Sequence, residues 1–259
     1  MNDSASARLP WRGGRPPHLP CGPGDVAEDV LLPGDPDRVP LLAKMMDDVA
    51  DFGRRREFSI VTGTYRGRPL TLCSSGIGGP STEIALVELA RLGVRRVIRI
   101  GGMSALVRDI EPGSYLCVTK ALGATAVATL YGNPAIAAPG MADALSDAAA
   151  TLGMPARRGP VASTDSYYFG QDRPVAGDRT TGGGEQLCRF RDQGALGVEM
   201  ETETVLAVSA RLGLSAGALL GAHGNRVTDA WLDEYEATQR NLLPIAGLAL
   251  HNLDRKDLS

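Results

Sequence analysis

Seven consecutive residues, Gly197-Val198-Glu199-Met200-Glu201-Thr202-Glu203, set two carboxylates around a methionine at the head of an apolar run. An ionised carboxylate accepts hydrogen bonds from vicinal hydroxyls at charge-assisted strength, and methionine packs softly against the face of a sugar. Upstream, the segment Ser166-Tyr167-Tyr168-Phe169-Gly170-Gln171-Asp172-Arg173 offers Gln171 and Arg173 as fixed donors for a planar polar partner. A diol, a sugar face and a planar base are the parts of a nucleoside. The same acids also suit the opening turn of a helix, where the dipole favours negative charge, so by themselves they leave both readings open.

Two arginines stand where a charge needs a partner. Gly34-Asp35-Pro36-Asp37-Arg38 follows the apolar run Val30-Leu31-Leu32. Glycine there lets backbone N–H groups approach an oxyanion, and Arg38 adds a bidentate donor fork. Arg99 interrupts the apolar stretch Val97-Ile98-Arg99-Ile100. A buried charge must be paired, so Arg99 is either bound to a structural carboxylate or held for an anionic ligand.

The elements that position these groups alternate along the chain. Asp29 to Leu32 reads as a buried strand, Arg38 to Met46 as a helix, and Arg56 to Tyr65 with Pro69 to Ser74 as a hairpin turning at Gly67. Ser81 to Leu92 is helical and ends at Gly93, and Val97 to Ile100 is a buried strand. Tyr115 to Val118 and Gly159 to Ala162 read as strands around a helix over Met141 to Leu152. Thr202 to Leu212, Ala216 to Leu220 and Tyr235 to Leu253 complete a helix, strand, helix ending. This pattern predicts an α/β domain with a central mixed sheet.

Composition bounds the function. The 259 residues sit near the upper limit for one hydrophobic core, and no Pro/Ser-rich linker divides them. A net charge of −3 is too small for a nucleic-acid footprint, so any phosphate must be met by a local cluster. Cys21, Cys73, Cys117 and Cys188 show no metal-ligand spacing, and free thiols predict a reducing, cytoplasmic setting. No apolar run approaches a membrane span. Residues 1–16 read as a poorly ordered tail and 17–259 as the domain, with Gly182-Gly183-Gly184 as a mobile loop.

The Gly34–Arg38 and Glu199–Glu201 segments occur in order with Gly76-Ile77-Gly78-Gly79-Pro80-Ser81, Arg99-Ile100-Gly101, Gln171-Asp172-Arg173 and Gly224-Asn225-Arg226. This ordered set resembles the nucleoside phosphorylase family of the uridine phosphorylase type, from about Pro17 to the C-terminus. The resemblance implies a distorted, barrel-like mixed sheet flanked by helices, and phosphorolysis of uridine or a related pyrimidine nucleoside, 5′-modified and 2′-deoxy sugars included. It implies phosphate binding by Gly34, Arg38, Arg56, Arg99 and Gly102, and ribose binding by His18, Met200 and Glu201. It assigns the base to Tyr167, Gln171, Arg173, Glu199 and Arg226, with Tyr167 stacking on the ring. His18 and Arg56 are expected to reach a neighbouring subunit's site in a dimer-based assembly, a hexamer in relatives. No cofactor is expected beyond phosphate as co-substrate, apart from a structural potassium ion at Glu57, Ile77 and Ser81; nucleic acid and membrane are not expected partners.

Two positions depart or discriminate. Purine-type relatives carry a Ser-Asp pair, whose acid protonates the leaving base, where this chain has Asn225-Arg226. The family's usual threonine after Arg-Ile-Gly is absent, since the chain continues Gly102-Met103-Ser104. A nucleoside hydrolase and a non-catalytic nucleoside-binding protein are the alternatives to a phosphorylase. His223 is expected beside Asn225 at the pocket and His251 on the surface.

Overall fold

Strand β1 (Asp29–Pro33) is buried along its whole length, and β5 (Arg96–Ala105) lies parallel beside it with Leu31 opposite Ile98 and Leu32 opposite Arg99. Successive side chains of a strand point to opposite faces. Leu32 and Val97 accordingly enter one core cluster, while Leu31, Ile98 and Ile100 enter another on the other side of the sheet. A sheet covered on both faces explains why these strands read as continuous apolar runs.

The computed structural model describes residues 6–175 and 184–257. Its remaining strands are β2 (Asp47–Arg55), β3 (Phe58–Tyr65), β4 (Arg68–Cys73), β6 (Tyr115–Gly123), β7 (Ala156–Ser163), β8 (Gly197–Glu199), β9 (Ser215–Asn225) and β10 (Ala230–Trp231). They join one sheet in the order β10-β9-β6-β7-β8-β5-β1-β4-β3-β2, and β9 also pairs with β5. That extra pairing closes β5, β9, β6, β7 and β8 into a ring. β1, β4, β3 and β2 extend from it as an open wing.

Helices cover both faces. Leu86 and Leu89 of α2 (Gly79–Arg91) and Val205 and Leu206 of α6 (Thr202–Leu212) fill the first cluster. Leu145 of α4 (Met141–Thr151) and Leu242 and Leu250 of α7 (Glu236–Asp257) fill the second. The short helices are α1 (Arg38–Ala43), α3 (Ala126–Tyr131) and α5 (Glu185–Asp192). Among the described residues, no helix is long and apolar enough to cross a membrane.

The expected helix over Arg38 to Met46 stops at Ala43, and the chain turns directly into β2. Eight of the nine β2 residues are exposed, so this edge strand carries no burial period to read. Gly197–Glu199 is also a strand rather than a helix start. It closes the ring, parallel to β7 and antiparallel to β5, and α6 begins only at Thr202. The described part of the expected loose tail holds an Arg12–Arg15 bridge and sets Trp11 beneath the Arg91 guanidinium at 4.8 Å. Gly182 and Gly183 lie outside the described residues.

Candidate active site

The turns after β1, β5 and β8, with the end of β9, converge on a cavity of about 670 Å³. Gly34 and Arg38 come from the β1–α1 turn, Gly101 to Ser104 from the end of β5, Glu199 to Glu201 from the β8–α6 turn, and His223 from β9. Tyr167, Gln171 and Arg173 close one side, and Arg54, Glu57, Ile77 and Ser81 another.

Arg99 organises the floor. Its Nε donates to Glu199 Oε2 at 2.9 Å, and its Nη2 donates to Glu201 Oε2. Among the described residues, its buried Nη1 has no hydrogen-bond partner, and neither does Arg38 Nε. Nη1 faces Gly34, where an added Cβ would stand 3.9 Å away. Arg38 Nη1 reaches the Ile100 carbonyl at 3.5 Å, so both guanidinia gather on the same stretch of β5. Burial lowers the proton affinity of Arg38, and the Arg99 charge adds to this while Tyr235, Asp35 and Glu201 oppose it. For Arg99 burial acts the same way, but Glu201 and Glu199 outweigh it and hold the group above its ordinary range. Buried Arg99 and half-buried Arg38 thus each keep an unused buried donor beside the glycines at 34 and 101–102, an arrangement whose chemistry suits an anion.

The two acids of the Glu-Met-Glu segment are held differently. Glu199 accepts from Arg99, from Ser163 Oγ and from the backbone N–H groups of Glu201 and Thr202 at 2.9 Å. Its carboxylate therefore anchors Arg99 and the start of α6, and Glu199 also lines the cavity. Glu201 accepts from Arg99 and from the Gly78 N–H at 2.6 Å, an amide aimed by the positive φ of +84° that glycine permits there. Burial pushes the Glu201 carboxyl upward, with Arg99 opposing and Glu199 reinforcing.

At the opposite side Gln171 is buried, and its Oε1 accepts from Arg173 Nη1. Arg173 also donates to the Tyr167 carbonyl at 3.0 Å and to Ser104 Oγ at 3.3 Å, and its guanidinium lies 3.9 Å from the centre of the Tyr167 ring. Arg226 does not line the cavity. Its Nη1 and Nη2 donate to the carbonyls of Gln171 and Asp172 at 2.8 and 3.3 Å, so it clamps the Gln171 loop. Asn225 is spent likewise, donating to Val107 and Ile110 carbonyls and accepting from the Val227 and Thr228 amides.

His18 and Arg56 do not line this chain's own cavity. His18 Nδ1 pairs with Glu88 Oε1 at 2.6 Å, while Arg56 is exposed with φ +55°. Arg54, unremarked in the sequence, lines the cavity instead and donates to Asp37 Oδ1 at 3.2 Å. Nothing in Arg54-Arg55-Arg56 says which arginine turns inward. Trp231 was also missed, whereas Ser104, a hydroxyl that could stand in for the absent threonine, does line the cavity. The lone indole near Asn225 was the available signal for Trp231.

A model of the phosphorylase superfamily matches residues 28–246. Uridine phosphorylase of Thermococcus kodakarensis is 38% identical over 216 residues, which are 82% of this chain and 78% of the relative. Guanosine phosphorylase of Halorubrum lacusprofundi is 36% identical over 82% of this chain and 84% of the relative. Uridine phosphorylase of Escherichia coli is 36% identical over 76% and 79% respectively.

Proposed function

Because the chain belongs to the phosphorylase superfamily, and is thereby a pentosyltransferase that cleaves nucleosides with phosphate as co-substrate, we propose that its nucleoside is uridine or a close pyrimidine analogue. The observation that carries the reading is the Gln171–Arg173 pair facing the cavity, together with Asn225-Arg226 in the place of the purine-type acid: Asn225 is consumed by the 107–110 backbone and Arg226 by the Gln171 loop. A purine leaves most easily when an acid protonates it. Uracil departs as a delocalised anion if donors stabilise charge developing on its oxygens, and Gln171 and Arg173 are such donors.

In this reading phosphate sits on Arg38, Arg99 and the Gly34 and Gly102 amides, and attacks the anomeric carbon from the face opposite the base. Met200 and Glu201 hold the ribose, Tyr167 stacks on the base, and the products are uracil and ribose 1-phosphate with inversion. The base-class test is direct: uridine, inosine and guanosine are each assayed with and without inorganic phosphate. Phosphate-dependent cleavage of uridine alone is expected. Comparable cleavage of inosine or guanosine would assign the purine specificity that the guanosine phosphorylase relative carries in its name.

The assignment of His18 and Arg56 to a neighbour's site is supported by their position outside this chain's own cavity and by Ile77, 78% exposed at its rim. A two-fold contact would let each subunit lend the same groups to the other. Mixing inactive Arg56→Ala and Glu201→Ala proteins should then regenerate activity, whereas a fully active monomer by light scattering would exclude the shared site. Potassium fits the same rim. A Cβ on Gly76 would meet Glu57 Cγ at 2.7 Å and Ser81 Oγ at 2.9 Å, and Ser81 Oγ lies 3.1 Å from the Ile77 carbonyl. Carboxylate, hydroxyl and carbonyl oxygens make a hard donor set, which would join subunits and take no part in the reaction.

A further inference from the structure

Tyr235, just before α7, belongs to none of the motifs above and does not itself line the cavity, yet its phenol end is wedged behind Gly102, which does. Its Oη lies in a slot between β5 and β9 where two cross-strand partners, Gly102 and Gly221, both lack a side chain. A Cβ on Gly102 would stand 3.1 Å from Oη, and one on Gly221 would stand 2.8 Å from it. Any larger residue at either position would displace the hydroxyl. The ring is fixed as well: His223 stacks on it at 4.2 Å with 2° between planes, and Trp231 stacks on the other face of His223 at 4.0 Å.

Oη donates to the Gly221 carbonyl at 2.9 Å, at the strand level where Gly102 faces the cavity and Arg38 reaches Ile100. Among the described residues, Arg38 Nε and Arg99 Nη1 both lack a hydrogen-bond partner, and both arginines line the cavity with Gly102. We propose that Tyr235 is a phosphate-binding residue whose hydroxyl, occupying the space a side chain at position 102 would fill, turns from the Gly221 carbonyl to donate to the bound phosphate. This assignment rests on the phosphorolysis reading above. Burial pushes the phenol up to about 12, with Arg38 and Arg99 pulling the other way, so the group keeps its proton at neutral pH and serves as a donor.

The test is the thermal unfolding midpoint of the purified protein as a function of inorganic phosphate, which reads binding without any nucleoside. A hydrogen bond to a charged group is worth about tenfold or more in affinity, so Tyr235→Phe should bind phosphate about tenfold more weakly. Adding Gly102→Ser to Tyr235→Phe should recover much of the loss, because the vacated slot accepts a side-chain hydroxyl. Gly102→Ala alone gives a second reading, since its methyl crowds Oη and should also weaken phosphate binding. Variants that lose stability without phosphate but retain wild-type phosphate affinity would overturn the assignment and make the phenol a packing group. A wild-type protein whose midpoint ignores phosphate would overturn the phosphorolysis reading itself, and this assignment with it.

Discussion

Replacing Arg99 with alanine should strip the site of its central cation and unbalance two buried carboxylates together. The side chains of Arg99, Glu199 and Glu201 are 4%, 2% and 8% exposed, so water cannot replace the lost partner. Glu199 keeps Ser163 Oγ and two backbone amides, whereas among the described residues Glu201 keeps only the Gly78 N–H. The loss falls mainly on Glu201. Breaking a buried ion pair from one side costs about 3–5 kcal/mol, a large part of the roughly 5–15 kcal/mol that stabilises a domain. With a urea m-value of about 2–3 kcal/mol/M, the unfolding midpoint should fall by roughly 1–2 M at fixed protein concentration. The pH dependence has a definite sign. Without Arg99 the folded-state Glu201 carboxyl rises further above its unfolded value, and such a group contributes stability below the unfolded value and loses it as pH rises through the folded one. The deficit of Arg99→Ala should therefore shrink on going from pH 8 to pH 5. Phosphate-dependent kcat/KM should fall on the order of 10²-fold, while Arg99→Lys, which keeps the charge but not the fork, should lie between. A deficit below about 1 kcal/mol, or one that grows on acidification, would refute the assignment of Arg99 as the shared partner of both acids.

Burial lowers the pKa of His223, and the Arg38 charge adds to this against the Leu232 backbone and Asp233. The unfolded chain then binds the proton first, so wild-type stability should fall as pH drops below 6.5, and His223→Gln should lessen that slope in urea titrations between pH 7.5 and 5.5. Equal slopes would show that His223 does not contribute. Asn225→Ala strands the Val107 and Ile110 carbonyls and two amides, and should cost about 2–3 kcal/mol by denaturant titration. A change within about 0.5 kcal/mol would mean the 107–110 turn holds itself. Arg226→Met frees the Gln171 and Asp172 carbonyls, and should raise the nucleoside KM about tenfold with phosphate affinity unchanged; an unaltered nucleoside KM would detach Arg226 from the base site.

What could be read from the chain follows from burial. The strands around Leu31, Ile98 and Leu219 are covered on both faces and announce themselves as apolar runs. β2 has no buried face, and β8 is three residues long and exists because β7 and β5 leave a gap between them, so neither carries a periodicity of its own. The site follows the same logic. Gly34, Arg38, Arg99 and Gln171 are held by the ends of legible strands or by a compact motif, and all line the cavity. Arg54 and Trp231 arrive from an edge strand and a two-residue strand, and only tertiary packing brings them to it.

Arg99 shows why residue type alone left its role open. The sequence posed a choice between a structural ion pair and an anion-binding group, but a guanidinium is a fork of five N–H donors with three nitrogens facing different ways. Nε and Nη2 are taken by Glu199 and Glu201, and Nη1 remains toward Gly34 and the cavity. The two carboxylates offset the cost of burying the charge, and because they grip adjacent corners of the fork they also set its plane. The structural pair is thus what aims the remaining donors. The Glu-Met-Glu segment then serves two ends from one geometry: Glu199 fixes Arg99 and the first amides of α6, and Glu201, tied to Arg99 and to Gly78, is held where a sugar diol would meet it if phosphate stood on Nη1. Attacking oxygen and sugar would be positioned by the same three side chains, so a change in any one of them should move phosphate and nucleoside kinetics together rather than separately.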